Sequence, residues 1–231
     1  QTSYILALKF NLLPDDLREK AAGFLVADIR GRRNHLSTGF LGTIYICHEL
    51  TRAGFTDVAY DLLLQETYPS WLYPVKMGAT TIWERWDGQK PDSTFQDAGM
   101  NSFNHYAYGA IGDWMYRVSA GLETKTPGYK QLLIQPHPTA KLDFSRATYE
   151  SPYGTVASGW ERKDGKIIVK VKIPANSMST IVLPAGDPAL VTESGKPVMG
   201  NISFSDIRKE GNNTLIEAGS GEYTFEFVEN K

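Results

Sequence analysis

The stretch Leu122-Glu-Thr-Lys-Thr-Pro-Gly-Tyr129 lies between two parts of the sequence that space their apolar residues differently. Before it, apolar residues recur at steps of three and four, as on one face of an α-helix. After it they alternate with polar residues, as in a strand with one buried face. The change of period predicts an α+β chain with helices in residues 1–121 and strands in residues 122–231.

Before the boundary, the start and stop signals predict several helices joined by short connections. One helix is expected to follow Pro14, with Asp15 or Asp16 as its N-cap, and to end at Gly31. Four residues separate the next two helices, a length typical of a hairpin of antiparallel helices. These two helices and a later one are predicted at residues 40–52, 57–66 and 103–118.

Residues 68–99 fit neither period and contain three prolines and three tryptophans. Long irregular segments inside compact domains are usually either functional or disordered. The high aromatic content argues against a solvated, disordered linker. We therefore predict an ordered binding loop.

After the boundary, several segments have the period of two that is typical of strands. Val169, Val171 and Ile173 alternate with lysines, and residues 223–227 repeat the pattern. Asp164-Gly165 lies between two such segments and predicts a two-residue hairpin turn. Because no helical pattern separates these strands, we predict an antiparallel β-sandwich.

Composition excludes several classes of function. A net charge of -2 and a pI near 6.1 provide no field that would attract nucleic acid or an acidic membrane surface. The single cysteine, Cys47, excludes an internal disulfide, and the four histidines have no metal-binding spacing, so no cofactor is expected. No apolar run approaches the roughly 20 residues of a membrane span. The compartment is left open, with a periplasmic or extracellular location favoured over a cytoplasmic one.

Glu84 is the first candidate for a chemical role, because it lies between Trp83 and Trp86 in the segment Gly78-Ala-Thr-Thr-Ile-Trp-Glu-Arg-Trp-Asp-Gly88. Aromatic faces pack against the C–H side of a sugar ring, and a carboxylate beside them can transfer a proton. This combination favours glycoside chemistry. The alternative is a surface ion pair of Glu84 with Arg85 or with a neighbouring helix.

His105 is the second candidate, in the segment Asn101-Ser-Phe-Asn-His-Tyr-Ala-Tyr-Gly109 at the start of the last predicted helix. A ring nitrogen at that place can hydrogen-bond a sugar hydroxyl. The alternative is a capping or buried histidine that is bonded to the backbone. Ser102 lacks the G-x-S-x-G pattern of a nucleophile elbow, so acyl transfer is not expected.

Five motifs in this order closely resemble the C-terminal portion of the bacterial α-L-rhamnosidases of glycoside hydrolase family 78. One short motif such as S-P-Y-G would be weak support, but five in the right order are specific. The motifs are His35-Leu-Ser-Thr-Gly-Phe40, Tyr68-Pro-Ser-Trp71, Gly78-Ala-Thr-Thr-Ile-Trp-Glu84, Asn104-His-Tyr-Ala-Tyr-Gly109 and Ser151-Pro-Tyr-Gly154.

The resemblance implies a catalytic (α/α)6 barrel followed by a β-domain, and hydrolysis of terminal α-L-rhamnosides with inversion. Its general base corresponds to Glu84 and its sugar-binding histidine to His105. The aromatic residues of the same motifs correspond to Trp71, Trp83 and Trp86, with Trp71 expected to face the sugar. The partners implied are rhamnose-containing glycosides or polysaccharides, and a homo-oligomer is compatible with the sequence.

Two departures from the family pattern modify these expectations. The acidic stretch that carries the family's general acid has no counterpart between Gln1 and Ile29, and only about five barrel helices are predicted. Because the chain also starts without methionine, we expect a piece of a larger protein that is inactive alone. Leu72 and Pro74 follow Trp71 where the family commonly has glycine, which changes the expected shape of the loop.

Two alternatives to the rhamnosidase hypothesis stay open. One is a different inverting glycosidase, or a phosphorylase, on the same barrel. The other belongs to a different class, a carbohydrate-binding or structural module without catalytic activity.

Overall fold

The computed structural model describes residues 1–228 and consists of two compact units, Gln1–Trp114 and a unit that starts at Met115. The first unit is helical and the second consists mainly of strands. Within the described residues, no helix combines the length and the apolar character that a membrane crossing requires.

The helical unit contains six α-helices and two 3-10 turns in its described residues. Their buried faces carry the apolar residues at the spacing found in the sequence; in α2, for example, Leu25 and Ile29 are fully buried. The 3-10 turns are Ala98–Met100 and Ala107–Ala110. The helices are α1 Thr2–Lys9, α2 Asp15–Gly31, α3 Phe40–Arg52, α4 Thr56–Leu63, α5 Leu72–Lys76 and α6 Ile111–Trp114.

The start of α2 corrects one prediction. Neither Asp15 nor Asp16 caps the helix, because both lie inside its first turn and Pro14 occupies the N-cap position. The Pro14 carbonyl accepts the first hydrogen bond, from Leu17 N–H at 3.0 Å. The two carboxylates still stabilise this end of the helix through the positive end of its dipole.

Two further element boundaries differ from the prediction, and one short helix was not predicted. The helix predicted at 57–66 ends at Leu63, and the loop contains the short helix α5. The predicted start of the helix at 103–118 was wrong, because residues 103–106 are not helical. His105 N–H bonds the Ile82 carbonyl at 2.8 Å, so the backbone there pairs with the loop instead of with its own next turn.

The second unit contains two sheets. One has the strand order β1-β2-β6-β10-β9 and the other has the order β3-β4-β5-β11-β7-β8. Short helical segments lie at Met115–Ser119, Pro127–Tyr129 and Pro188–Leu190. The strands are β1 Leu122–Thr124, β2 Gln131–Ile134, β3 Phe144–Ser151, β4 Gly154–Lys163, β5 Lys166–Ile173, β6 Met178–Leu183, β7 Thr192–Glu193, β8 Lys196–Pro197, β9 Phe204–Glu210, β10 Asn213–Ala218 and β11 Gly221–Val228.

The hairpin predicted at Asp164-Gly165 is confirmed. These two residues have φ values of 52° and 75°, and they join β4 to β5 with Lys163 opposite Lys166. Positive φ at both turn residues gives the twist that matches the flanking strands, which explains the Asp-Gly pair.

The inner faces of the two sheets share one apolar core, which confirms the β-sandwich. Val169 and Phe225 of one sheet and Ile181 and Ile216 of the other are completely buried in it. One strand pair departs from the prediction of an antiparallel sandwich, since β2 and β6 are parallel. A parallel pair needs a long crossover, and β3, β4 and β5 of the other sheet supply it.

Two phenylalanines test the packing of the sandwich. Phe225 is 0% exposed and Phe144 is 54% exposed, and both lie in strands of the six-stranded sheet. We expect Phe225→Ala to lower the free energy of unfolding by about 3–5 kcal/mol, because it leaves a cavity in the core. The matched change Phe144→Ala should cost less than about 1 kcal/mol. Urea unfolding of each variant, monitored by hydrogen exchange of peptides from the six-stranded sheet, measures the two free energies of unfolding. Equal losses of stability in the two variants would contradict the burial of Phe225 in the core.

Helices α1, α2 and α3 and the connection between α1 and α2 expose several large apolar side chains. Soluble proteins rarely leave large contiguous apolar patches uncovered, so these faces favour association. The exposed residues are Tyr4, Phe10, Leu12, Leu17, Phe24, Leu41 and Ile44.

We expect the 231-residue chain to self-associate through these helical faces. Ile44→Glu should shift the chain toward the monomer, because it places a charge on the apolar face of α3. Ile202→Glu, at an exposed isoleucine of the second unit, is the matched control and should leave association unchanged. Light scattering over a range of concentrations measures the mass; a monomer at high concentration in the unmodified chain would contradict the expectation.

Candidate functional site

Three tryptophans order the loop that precedes the 3-10 turn at Ala107–Ala110. Trp71, Trp83 and Trp86 are 8%, 6% and 8% exposed. Trp71 Nε1 donates to the Tyr108 carbonyl at 2.9 Å, and Trp86 Nε1 donates to the Thr38 carbonyl at 3.1 Å. Because both indole N–H groups are satisfied, their burial costs little, and the loop is fixed to the residues before α3.

Ring contacts link Trp71 and Trp86 to Tyr108. Trp86 stacks on Tyr108 with a centroid distance of 3.6 Å and an interplanar angle of 5°, and Trp71 meets Trp86 edge-on at 5.6 Å. Burial raises the pKa of Tyr108 to about 12, with nearby Tyr68 and carboxylates adding to the effect and Arg85 opposing it. The Tyr108 phenol therefore stays neutral at physiological pH.

A small cleft of about 40 Å³ lies among these aromatic rings. Ligand pockets usually have several hundred Å³, so this cleft is too small for a sugar ring. Glu84 and His105 are not part of its wall. The lining residues are Trp71, Pro74, Val75, Thr81, Ile82, Trp83, Arg85, Trp86 and Tyr108.

Glu84 is half-buried, and two reciprocal hydrogen bonds join it to Ser102. Glu84 N–H donates to the Ser102 carbonyl at 2.9 Å, and Ser102 N–H donates to Glu84 Oε2 at 2.8 Å. The second bond orients the carboxylate through a backbone donor. Arg85 forms its ion pair with Asp87 (Nε to Oδ1, 3.6 Å), which argues against the alternative of a Glu84–Arg85 pair.

His105 lies on the backbone segment that pairs with the Glu84 segment. Its ring is stacked between Phe40 and Tyr106, with centroid distances of 4.7 Å and 5.3 Å. Its Nδ1 accepts the Ala107 N–H at 3.3 Å, so the proton of the ring lies on Nε2. Within residues 1–228, Nε2 has no hydrogen-bond partner and can donate to a ligand.

The pairing of two backbone segments places Glu84 on one segment and His105 on the segment facing it. Besides the Glu84–Ser102 bonds, His105 N–H bonds the Ile82 carbonyl and the Thr81 hydroxyl donates to the Phe103 carbonyl. Trp71 and Trp86 form an aromatic group with Tyr108, whereas Trp83 meets Phe103 of the paired segment edge-on at 5.2 Å. The arrangement offers an oriented carboxylate as a proton acceptor and an imidazole N–H as a donor.

The departure at Leu72 and Pro74 is accommodated by α5. Pro74 lies in the first turn of that helix, where a missing N–H leaves no bond unmade. The Ser70 hydroxyl accepts the Tyr73 N–H at 3.1 Å at the start of the same turn.

Several contacts of the site were not predicted from the sequence. They are the Thr38 carbonyl, the Phe40 ring, the Tyr108 ring and the backbone of Ser102. A backbone group leaves no signal in a sequence pattern, whereas Phe40 and Tyr108 lie in two of the five motifs, which do not specify their contacts. Among the described residues, no group of three or more His, Cys, Asp and Glu side chains could hold a metal ion.

Comparisons with known proteins agree with this organisation. Residues 1–118 match the model of the bacterial alpha-L-rhamnosidase 6 hairpin glycosidase domain, and residues 121–197 match that of the bacterial alpha-L-rhamnosidase C-terminal domain. Alpha-L-rhamnosidases of Streptomyces avermitilis and Formosa agariphila are 43% and 41% identical over 97% and 98% of this chain.

A solved structure leads to the same family. The crystal structure of Streptomyces avermitilis alpha-L-rhamnosidase complexed with L-rhamnose aligns with a TM-score of 0.90 and 43% identity over 97% of this chain. The chain spans 21% of that structure, and 21% and 24% of the two curated relatives. The helical unit and the β-sandwich thus match two domains of one family, and the chain is a member of the bacterial α-L-rhamnosidase family.

Proposed function

We propose that this chain provides the general base and part of the sugar site of an enzyme that hydrolyses terminal α-L-rhamnosides with inversion. Its helices would form part of an (α/α)6 barrel that other segments of a longer polypeptide complete. The relatives support the substrate, since they are named alpha-L-rhamnosidases and one was solved with L-rhamnose. The exposed apolar faces of α1 to α3 support the incomplete barrel.

The orientation of the Glu84 carboxylate carries this proposal. Ser102 N–H holds Oε2 at 2.8 Å, and this fixes the direction in which Oε1 is presented. A base that activates water needs such an orientation, because the water must attack the anomeric carbon from the face opposite the leaving group. Oε1 would accept the proton of that water.

The remaining site residues would position the sugar. The His105 Nε2–H would donate to a sugar hydroxyl, and the Phe40 and Tyr106 rings hold the imidazole plane. Trp71, Trp83 and Trp86 are largely buried, so their contribution to the sugar would come from ring edges and from keeping the loop rigid. Trp71 remains the proposed sugar-facing residue.

The general acid would come from a segment outside these 231 residues. In inverting enzymes the two carboxyl groups are roughly 6.5–9.5 Å apart, which leaves room for one water. In the complete enzyme, the acid would therefore lie at that separation from Glu84.

Glu84→Gln in the full-length polypeptide tests the role of the base. The amide keeps the size and accepts the Ser102 N–H, but it cannot take a proton. Turnover of an aryl rhamnoside should therefore fall by about two to four orders of magnitude, while rhamnose affinity changes little.

Glu66→Gln is the matched control for this experiment. Glu66 is an exposed glutamate of the same unit, paired with Lys76 at 2.9 Å, and exposed pairs of this kind contribute little. Its turnover should stay normal. Normal turnover in Glu84→Gln would assign Glu84 a structural role and remove the proposed mechanism.

His105→Ala should have a different kinetic signature. Loss of a sugar contact weakens the ground state as well as the transition state, so KM should rise along with a fall in kcat. Steady-state kinetics on the same aryl rhamnoside separate the two cases. A lower kcat at unchanged KM would indicate that His105 acts only in the chemical step.

The isolated chain should show no hydrolytic turnover, because inversion requires an acid and a base on opposite sides of the bond. Release of the aryl product by the purified chain, compared with its own Glu84→Gln variant, measures this. Clear activity above that variant would place the acid within these 231 residues.

A further inference from the structure

Asn101 joins two parts of the loop through its side chain. Its Nδ2 donates to the Gly88 carbonyl at 3.0 Å, and its Oδ1 is buried without a hydrogen-bond partner in the described part of the chain. The bond to the Gly88 carbonyl ties residue 101 to the segment that follows Glu84.

Gly88 leaves the space that the Asn101 side chain needs. A Cβ on Gly88 would lie 2.9 Å from Asn101 Oδ1, 3.2 Å from the Phe103 ring and 3.3 Å from the Trp83 ring. The first distance is shorter than a normal contact. Any side chain at position 88 therefore displaces the Asn101 side chain or the backbone segment that contains Asn101.

The position of Asn101 is tied directly to the Glu84 carboxylate. The next residue is Ser102, which gives its N–H to Glu84 Oε2 and its carbonyl to Glu84 N–H. Gly88 is four residues after Glu84 on the other segment. Hydrogen bonds therefore link the two segments at both Gly88 and Glu84. The Asn101 side chain holds its own segment in place, and the next residue on that segment, Ser102, donates its N–H to the Glu84 carboxylate.

We propose that Asn101 is a positioning residue for the base, acting through the Ser102 N–H, and that Gly88 is required because it leaves room for Asn101. The inference rests on the proposed function of Glu84. Displacement of the Ser102 N–H rotates the carboxylate away from the water it activates. Misplacement of a catalytic group by about 1 Å can cost about a hundredfold in rate.

Three variants of the full-length polypeptide test the positioning role. Asn101→Ala and Asn101→Asp remove the donor to Gly88, and Gly88→Ala crowds Asn101 from the opposite side. Each should lower kcat on an aryl rhamnoside by about tenfold to a hundredfold. KM should stay within about twofold of the unmodified value, because the lost interaction acts in the transition state only.

Azide provides a readout that a merely structural role would not move. Azide attacks the anomeric carbon without losing a proton, so it needs no base; the C–N bond forms as the C–O bond breaks, and the aryl oxygen leaves with its electron pair. With an aryl rhamnoside that has a good leaving group, azide should restore product release in Asn101→Ala and in Glu84→Ala. The product should be the rhamnosyl azide of inverted configuration.

Gln89→Ala is the matched control, since it removes another amide-to-carbonyl bond of the same loop, from Gln89 Nε2 to the Ser93 carbonyl at 3.3 Å. Its kcat should stay normal. Normal turnover in the Glu84 variants would overturn the proposed function itself. If the Glu84 variants do lose turnover, a normal kcat in Asn101→Ala would overturn the positioning role. So would a rise in KM that accounts for the whole loss of kcat/KM in Asn101→Ala, or a failure of azide to restore its product release.

Discussion

Burial of the Trp86 indole is the interaction on which the loop and its site depend. One ring reaches the Thr38 carbonyl through its N–H, the Tyr108 ring through its face and Trp71 through an edge. These contacts join the segment before α3, the middle of the loop and the 3-10 turn after it. An irregular segment has few backbone bonds of its own, so aromatic packing supplies the order that a helix or sheet would otherwise provide.

Backbone hydrogen bonds hold the two candidate site residues, Glu84 and His105, in place. Glu84 and Ser102 exchange two hydrogen bonds, and His105 and Ile82 share a third. A backbone donor has no rotamers to explore, so it orients a carboxylate at a lower entropic cost than a lysine or arginine side chain. Buried aromatic rings thus keep the loop rigid, and backbone hydrogen bonds orient the polar side chains.

Much of the fold could be predicted from the sequence, since it follows from local periodicity. The bounds of α3 and the Asp164-Gly165 hairpin were predicted because apolar spacing and turn chemistry act within a few residues. Residues 103–106 were predicted as helix and are not, because their hydrogen bonds go to a segment about twenty residues earlier. The sequence pattern and the resemblance both pointed to Glu84 and His105, but neither pointed to the contacts of Ser102 and Asn101, which depend on which backbone groups meet in the fold.

The parallel pairing of β2 with β6 bears on the order in which the sandwich can assemble. The hairpins β1–β2 and β9–β10 are local, whereas β6 is the strand that joins them into one sheet. Docking β6 onto β2 closes a loop that contains the whole β3–β4–β5 meander, and its pairing with β10 closes another. Because closing these long loops costs entropy before the strand contacts form, the topology predicts that the five-stranded sheet forms after the local β4–β5 hairpin.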